Sequence, residues 1–193
     1  MARTKDFDEN EVLTKAIQLF WHKGYNATSM QDLVNGLGIS RSSLYDTYID
    51  KHTLFLKALE SYQCSGKAKI DEILQKSISA KETVVKLMKL ATNELIGDKE
   101  QKGCFIINAG VEVAPHDQDV SKLVCQNEQQ MEAAFFKVIK KDQQNGEIKN
   151  VEDAAVLAKF IFHVVKGMQV TAKSSLDTTG FEDIIRLTVA ILD

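Results

Sequence analysis

Apolar residues recur along almost the whole chain at spacings of three and four, which place their side chains on one face of an α-helix. In the first such segment, Leu13, Ala16, Ile17 and Phe20 form one stripe. No segment shows the strict alternation that is typical of a half-buried strand. The pattern therefore predicts an all-α protein with about nine helices, at about 8–23, 29–36, 41–47, 51–76, 80–96, 103–114, 118–145, 151–173 and 180–192.

Polar residues and glycines mark the ends of these segments. A side chain that opens a helix can bond a free backbone N–H group, and a carboxylate or amide three residues later can reach back. This spacing occurs at Asp8 with Glu11, Thr28 with Gln31, Ser79 with Glu82 and Thr179 with Glu182. Glycine suits the left-handed position after a helix, which predicts stops at Gly24, Gly38, Gly97 and Gly146.

The composition agrees with long helices. The 193 residues are 44% hydrophobic and include one proline, Pro115, whereas a β-rich fold would need more turn residues. The cysteines Cys64, Cys104 and Cys125 are odd in number and far apart, so we expect no disulfide framework, metal or cofactor. The N-terminus lacks a signal-peptide pattern and no apolar run approaches the roughly 18 residues of a membrane span, so we expect a cytoplasmic protein without a membrane partner.

The distribution of charge argues against a simple electrostatic surface for nucleic acid. Residues 1–51 contain six Lys and Arg against seven Asp and Glu, and the net charge of the whole chain is −3. A strongly basic patch, the usual footprint of a nucleic-acid-binding protein, is therefore not expected. Any DNA contact has to depend on where single side chains are placed.

Two short predicted helices lie between residues 28 and 55, on either side of a Gly-Leu-Gly-Ile turn at 36–39. This is the layout of a helix-turn-helix motif, whose second helix enters the major groove of DNA. Leu44 takes the inner side of that helix, and Arg41 on the outer side suits two bonds to a guanine. The predicted DNA-binding residues are Thr28, Ser29, Ser40, Arg41, Ser42, Ser43, Tyr45, Tyr48 and Lys51.

This segment resembles the DNA-binding head of the TetR family, whose pattern is a Thr-opened helix, a Gly-containing turn, then Leu-Tyr and an aromatic residue before a Lys. It departs from that pattern at Leu37, Ser42 and Thr47, where the family usually has Ala, Gly and His. The resemblance implies a helix-turn-helix DNA-binding domain over residues 1–50, a helical ligand-binding and dimerisation domain over residues 51–193, and a double-stranded DNA operator as partner. The segment at 103–117 is also similar to one in a branch of the family. The matching positions of the head are Thr28, Gly38, Ile39, Ser40, Leu44, Tyr45, Tyr48 and Lys51.

The predicted helix at 151–173 is apolar almost all round, so one side faces the core and the other needs a partner. In the TetR family this helix and the last one form a four-helix interface with a second chain, which implies a homodimer. A central core helix in a monomer would show the same pattern. The residues expected at the dimer interface are Phe162, Val165, Phe181, Ile185 and Val189.

A pocket for a small-molecule inducer of unknown identity is expected in the larger domain. Cys104, Asn108 and Glu112 share one face of the predicted helix at 103–114, where they could orient a polar or cationic ligand. The solvated edge of an amphipathic helix would show the same residues. The predicted ligand-binding residues are Met88, Cys104, Phe105, Asn108, Glu112, Met131, Phe135, Phe160 and His163.

Two other mechanisms stay open at this point. Cys104 follows Lys102 near a predicted helix start, which favours a reactive thiolate on which an oxidant or electrophile could act. A helical adaptor that does not bind DNA would have the same periodicity. An enzyme is not expected, because the four histidines are scattered and the chain has no HExxH, GxSxG or P-loop motif.

Overall fold

The structure, a computed structural model, describes residues 7–96, 100–174 and 178–193. None of these residues lies in a strand, which confirms the all-α prediction, and each predicted helix bound lies within three residues of the observed one. The predicted stop at Gly97 falls outside the described residues. The helices are α1 (Glu9–Lys23), α2 (Met30–Leu37), α3 (Arg41–Tyr48), α4 (Lys51–Lys76), α5 (Ala80–Ile96), α6 (Phe105–Glu112), α7 (Gln118–Gln144), α8 (Ala154–Thr171) and α9 (Thr178–Ala190), with a 3-10 turn at Ala114–His116.

The N-terminal helices pack around the beginning of α4. The head comprises α1–α3 and residues 51–59 of α4, and the body comprises the rest of the described chain. Leu33, Leu44 and Phe55 are fully buried in the head. The same apolar core continues into Phe105 at the start of α6, so head and body share buried surface rather than meeting at a polar joint.

A second core fills the body between α5, α7, α8 and α9. α8 packs most extensively on α7 and buries Ile161 on the facing side. By length and composition alone α8 is also apolar enough to cross a membrane, a property that it shares with core helices of globular proteins. Its apolar surface is instead divided between this core and an exposed face.

Ser29, rather than Thr28, caps the start of α2. The Ser29 hydroxyl accepts a hydrogen bond from the backbone N–H of Asp32 at 3.1 Å, and the Asp32 carboxylate accepts one from the backbone N–H of Ser29 at 2.9 Å. Thr28 is fully buried, and its hydroxyl donates to the carbonyl of Gly24 at 2.6 Å. The prediction that Thr28 opens the helix and contacts DNA is therefore wrong, because its hydroxyl is used inside the turn.

Lys51, the first residue of α4, holds the turn between α1 and α2. Its ammonium group donates to the carbonyl oxygens of Tyr25 and Thr28, both at 3.0 Å, and lies 4.3 Å from the centre of the Tyr25 ring. Two of its three N–H groups are therefore used inside the chain. These bonds show that the Lys51 side chain fixes the shape of the head, and its predicted phosphate contact stays a prediction.

Tyr48 is a core residue of the head. Its exposed fraction is 2%, and its hydroxyl has no hydrogen-bond partner among the described residues. Tyr48 lies four residues after Leu44 and therefore on the same, inward face of α3. The predicted phosphate contact of Tyr48 is wrong for this reason.

Replacing Tyr48 by phenylalanine removes a buried hydroxyl and keeps the ring. Because a buried, unpaired polar group costs about 1–3 kcal/mol, we expect Tyr48→Phe to raise the free energy of unfolding, by about 1 kcal/mol. Tyr48→Ala, which leaves a cavity, should lower it by about 3–5 kcal/mol. Urea denaturation followed by circular dichroism measures both, and a Tyr48→Phe protein less stable than the wild type would contradict the expectation.

Candidate functional site

α3 presents a polar face outward from the head. Gly38, with a φ of 71°, ends α2 in the left-handed region and lets the chain turn directly into α3. Leu44 and Tyr48 hold the inner side of α3 against the core. The outer side then exposes Ser40, Arg41, Ser42 and Tyr45, while Ser43 is half-buried.

The serines at the start of α3 form a small hydrogen-bonded group. The Ser40 hydroxyl caps the helix by accepting from the backbone N–H of Ser43 at 3.1 Å. It also lies 2.9 Å from the hydroxyl oxygens of both Ser42 and Ser43. The first turn of α3 is thus fixed without any side chain longer than serine, which leaves room for a large partner to approach the backbone.

Arg41 supplies the positive charge of this surface. It is the one cation in the sequences of α2 and α3, and its guanidinium carbon lies 5.8 Å from the centre of the Tyr45 ring. Lys23 of α1 is instead paired with Asp32 at 2.8 Å, and its hydrogen bond is the main reason why the pKa of Asp32 is well below the usual range. The surface therefore depends on one arginine rather than on a basic patch.

The junction between α3 and α4 has an unusual backbone that the sequence does not signal. Ile49 has a φ of 66° and a ψ of −56°, and the backbone N–H of Asp50 donates to the carbonyl of Tyr48 at 2.6 Å. A tight three-residue turn of this kind is strained for a β-branched residue. The Ile49 side chain is 71% exposed beside α3, so it contributes nothing to the core that would explain the strain.

A cavity of about 320 Å³ lies in the body, between α4, α5, α6, α7 and α8. Its walls include Tyr62, Leu87, Ile107, Met131 and Phe162, one from each of these helices. Cavities that bind small molecules in proteins are of about 300–1,000 Å³ and mostly apolar. The cavity is therefore large enough for a small organic molecule.

The structure brings Cys104 and Met131 of the predicted ligand residues to this cavity. Phe105, Met88 and Phe135 are fully buried in the two cores and do not line it, because their helices turn those positions toward neighbouring helices. For these three residues the prediction of ligand contact is wrong.

The remaining predicted ligand residues also lie elsewhere. Phe160 and His163 point outward from α8. The Asn108 amide donates to the carbonyl of Lys102 at 2.7 Å. The Glu112 carboxylate accepts hydrogen bonds from backbone N–H groups of the head. The shared face of α6 that carries Asn108 and Glu112 is thus used for contacts within the chain, which corrects the prediction for all four residues.

Cys104 stands at the start of α6, where the cavity wall begins. It is half-buried, and the Tyr62 hydroxyl donates to its Sγ atom at 4.0 Å. Cys64 and Cys125 are exposed to solvent. A molecule inside the cavity would therefore meet Cys104 before either of the other thiols.

In the described part of the chain, hydrogen bonds at three places link the head to the body. The Trp21 indole N–H donates to the carbonyl of Gly103 at 2.9 Å. The Glu112 carboxylate accepts from the backbone N–H groups of Tyr25 and Asn26, at 3.0 and 2.8 Å. Both ends of α6 therefore hold the last turn of α1 and the loop that follows it.

The third contact joins the starts of α4 and α7. His52 Nε2 lies 2.8 Å from a carboxylate oxygen of Asp117, whose other oxygen accepts from the backbone N–H of Val120 at 3.0 Å. The hydrogen bond from the Val120 N–H is the main reason why the pKa of Asp117 is lowered, and the interaction with His52 lowers it further. The carboxylate thus caps α7 and contacts the head at the same time.

The predicted dimer residues on α8 and α9 face the core of their own chain. Phe162, Val165, Phe181 and Ile185 are buried there, and Phe162 and Val165 also line the cavity. Val189 is partly buried against the same core. Their burial corrects the prediction for Phe162, Val165, Phe181 and Ile185, whereas the interface contact of Val189 stays a prediction.

The outer face of the same two helices carries a different apolar stripe. Val156, Phe160 and Val170 are exposed on α8 at positions that share one face, and His163 lies between them. Ile184 and Leu187 are exposed on α9. Both helices therefore leave large apolar side chains without cover in the single chain.

Two family models together match most of the chain. Residues 12–58 match the model of bacterial regulatory proteins of the tetR family, and residues 80–188 match the tetracyclin repressor-like C-terminal domain. The first match spans the head almost completely. The second spans α5–α8, the cavity walls that they provide, and most of α9.

The chain is also similar to known regulators. It is 34% identical over 194 residues to the uncharacterized HTH-type transcriptional regulator YezE of Bacillus subtilis (strain 168), covering 100% of both chains. It is 28% identical over 172 residues to the HTH-type transcriptional repressor ComR of Escherichia coli (strain K12), covering 89% of this chain and 82% of ComR.

The fold agrees with these matches. A cysteine variant of the TetR family transcriptional regulator CifR, complexed with 26-bp double-strand operator DNA, superposes with a TM-score of 0.88 at 22% identity, covering 100% of both chains. The reduced form of NemR from E. coli superposes with a TM-score of 0.85 at 15% identity, covering 95% of this chain and 96% of NemR. The outward α3, the cavity and the sequence matches agree, and the chain belongs to the TetR family of helix-turn-helix transcriptional regulators.

Proposed function

We propose that this regulator is a cytoplasmic repressor that binds a palindromic double-stranded DNA operator as a homodimer and releases it when a small-molecule inducer enters the body. The observation that carries the proposal is the outward face of α3. That face exposes Arg41, Tyr45 and small hydroxyl groups, while its inner side is anchored by Leu44. A regulatory rather than an enzymatic role also follows from the family.

Arg41 reads base sequence in this proposal. A guanidinium group can bond O6 and N7 of one guanine in the major groove, which no single hydroxyl can do. Tyr45 contacts a phosphate in this proposal and fixes the position of α3. Ser29, whose hydroxyl donates to Asp32 at 2.7 Å in the free chain, exchanges that bond for one to a phosphate oxygen. A regulator of the same fold, CifR, is complexed with 26-bp double-strand operator DNA, which supports this use of the fold.

The outer stripe of α8 and α9 forms the dimer interface in this proposal. Val156, Phe160 and Val170 would meet the same face of a second chain, since a two-fold interface pairs one patch with itself. Burial of these side chains removes apolar surface from water. Two copies of α3 can then reach successive major grooves, about 34 Å apart on one side of the duplex.

A second candidate mechanism depends on Cys104, which lines the cavity. In it, an electrophile forms a carbon–sulfur bond with the Cys104 thiolate, and the resulting bulk at the start of α6 releases the operator. Because Cys64 and Cys125 are exposed, this mechanism has to be tested in a protein that carries serine at both positions.

The thiol mechanism predicts that N-ethylmaleimide abolishes operator binding of the Cys64→Ser/Cys125→Ser protein. The sulfur adds to one alkene carbon and a proton adds to the other, and intact-mass spectrometry confirms one adduct. The further variant Cys104→Ser should bind DNA equally well with and without the reagent. Full operator binding by a protein that carries the Cys104 adduct would rule the mechanism out.

Arg41→Ala should weaken binding to the preferred duplex by about 1–3 kcal/mol and reduce the preference for one base pair of each half-site. The duplex is obtained by selection from a random-sequence pool, and fluorescence anisotropy compares it with single-substituted duplexes. Lys140→Ala, which removes an exposed cation of α7 away from the proposed interface, is the matched control and should leave both quantities unchanged. Equal discrimination by Arg41→Ala and the wild type would refute base reading by Arg41.

Phe160→Glu should convert the dimer into a monomer, because it places two charges in an apolar, self-complementary face. Size-exclusion chromatography with light scattering measures the mass, and the monomer should lose tight binding to the palindromic duplex. Val151→Glu is the control, since Val151 is 98% exposed and lies before the start of α8. A dimeric Phe160→Glu protein, or a wild type that is monomeric at micromolar concentration, would contradict the proposed interface.

A further inference from the structure

Trp21 belongs to the DNA-reading head but forms part of the wall of the body cavity. It lies in the last turns of α1, and its side chain lines the cavity together with Tyr62 of α4. The two rings pack edge to face with their centres 5.2 Å apart. Any molecule that fills the cavity beside Tyr62 therefore touches the head itself.

The Trp21 indole also contacts the start of α6, which forms another part of the cavity wall. Its N–H donates to the carbonyl of Gly103, the residue before Cys104, where α6 begins. At the other end of α6, the Glu112 carboxylate approaches Gly24 so closely that a Cβ atom there would lie 2.9 Å from Oε2. α6 can therefore not shift away from the cavity without disturbing contacts to the end of α1.

The charged side chains of the cavity lining have partners within the chain. Lys166 is paired with Glu128, and Lys67 is paired with Asp71. Lys69 is also engaged in an interaction. A ligand that carried its own charge into the apolar part of the cavity would lose hydration, and the partly buried Lys166–Glu128 pair would have to open before either side chain could offset that cost.

We propose that the cavity takes an uncharged, aromatic or aliphatic molecule that packs against Trp21, and that this contact transmits occupancy to the head. The inference rests on the proposed function, because it names the class of inducer and the residue through which it acts. The occupant displaces the indole from the Gly103 carbonyl, which frees the end of α1 from the start of α6. The population then shifts toward head positions that do not fit the operator.

The sequence supplies an internal probe, because Trp21 is its one tryptophan. N-phenyl-1-naphthylamine is uncharged, and 8-anilinonaphthalene-1-sulfonate has the same rings with an added sulfonate. Both absorb where tryptophan emits, so either dye in the cavity accepts excitation energy from Trp21. We expect strong transfer to the uncharged dye, and binding of the sulfonate weaker by about tenfold or more.

The second arm of the experiment measures coupling to DNA. Saturating N-phenyl-1-naphthylamine should weaken binding of the wild type to the selected duplex by about tenfold or more. Trp21→Phe keeps an aromatic ring but has no N–H donor. The dye should still bind this variant, as measured by exciting the dye directly, and should change its affinity for the duplex by less than about twofold. Phe136→Leu, a change on the exposed surface of α7, should retain the wild-type coupling.

The outcomes separate this inference from the proposed function. If the wild type selects no duplex, the proposed function fails and the inference fails with it. If it binds a duplex but the uncharged dye receives no energy from Trp21, or the sulfonate binds as tightly, the ligand class is wrong while the function stands. If Trp21→Phe keeps the full effect of the dye on DNA binding, the role of Trp21 is overturned, and this result does not depend on the dye's position.

Discussion

The architecture depends on an apolar core that is continuous from the DNA-reading head into the body. Phe20 and Phe55 pack edge to face in the head with their ring centres 5.1 Å apart, and Phe55 packs on Phe105 of α6 at 5.7 Å. Close-packed interiors transmit displacement because they contain little free volume. α6 can therefore not move independently of the head, and on this constraint rests our proposal that the cavity behind α6 influences the position of α3.

The two faces of α8 divide the remaining tasks of the chain. Its inner face carries Phe162 and Val165, which complete the core and the cavity wall, whereas Phe160 on the outer face is 50% exposed. A change in the cavity therefore acts on the same helix that we propose to join two chains. In the proposed symmetric pair these body helices would join the two chains, so a small rotation at α8 would change the spacing of both copies of α3.

Sequence periodicity predicted the helices well, since start and stop chemistry is local. It failed where the answer depends on neighbours in space. On a helix that is apolar all round, the sequence pattern does not distinguish Phe160 from Phe162. Only the packing of the helix shows that Phe162 is buried and Phe160 is exposed. Thr28 fits a capping pattern as well as Ser29 does, but the fold buries it. Trp21 was missed because no periodic signal connects α1 with a cavity in the body.

The contacts that the lysines of the head make within the chain affect how such a regulator would dissociate from DNA. The Asp32 carboxylate offsets the charge of Lys23, and Lys51 keeps its charge but donates two of its N–H groups to carbonyl oxygens. Non-specific affinity for DNA comes mainly from phosphate neutralisation, so we expect it to be small for a head with few unpaired cations. In the proposed dimer, binding would then depend on the correct placement of α3 in both half-sites, and displaced heads would lose their contacts in both. In the proposed mechanism a modest shift in head position would therefore empty the operator, without competition from a large electrostatic attraction.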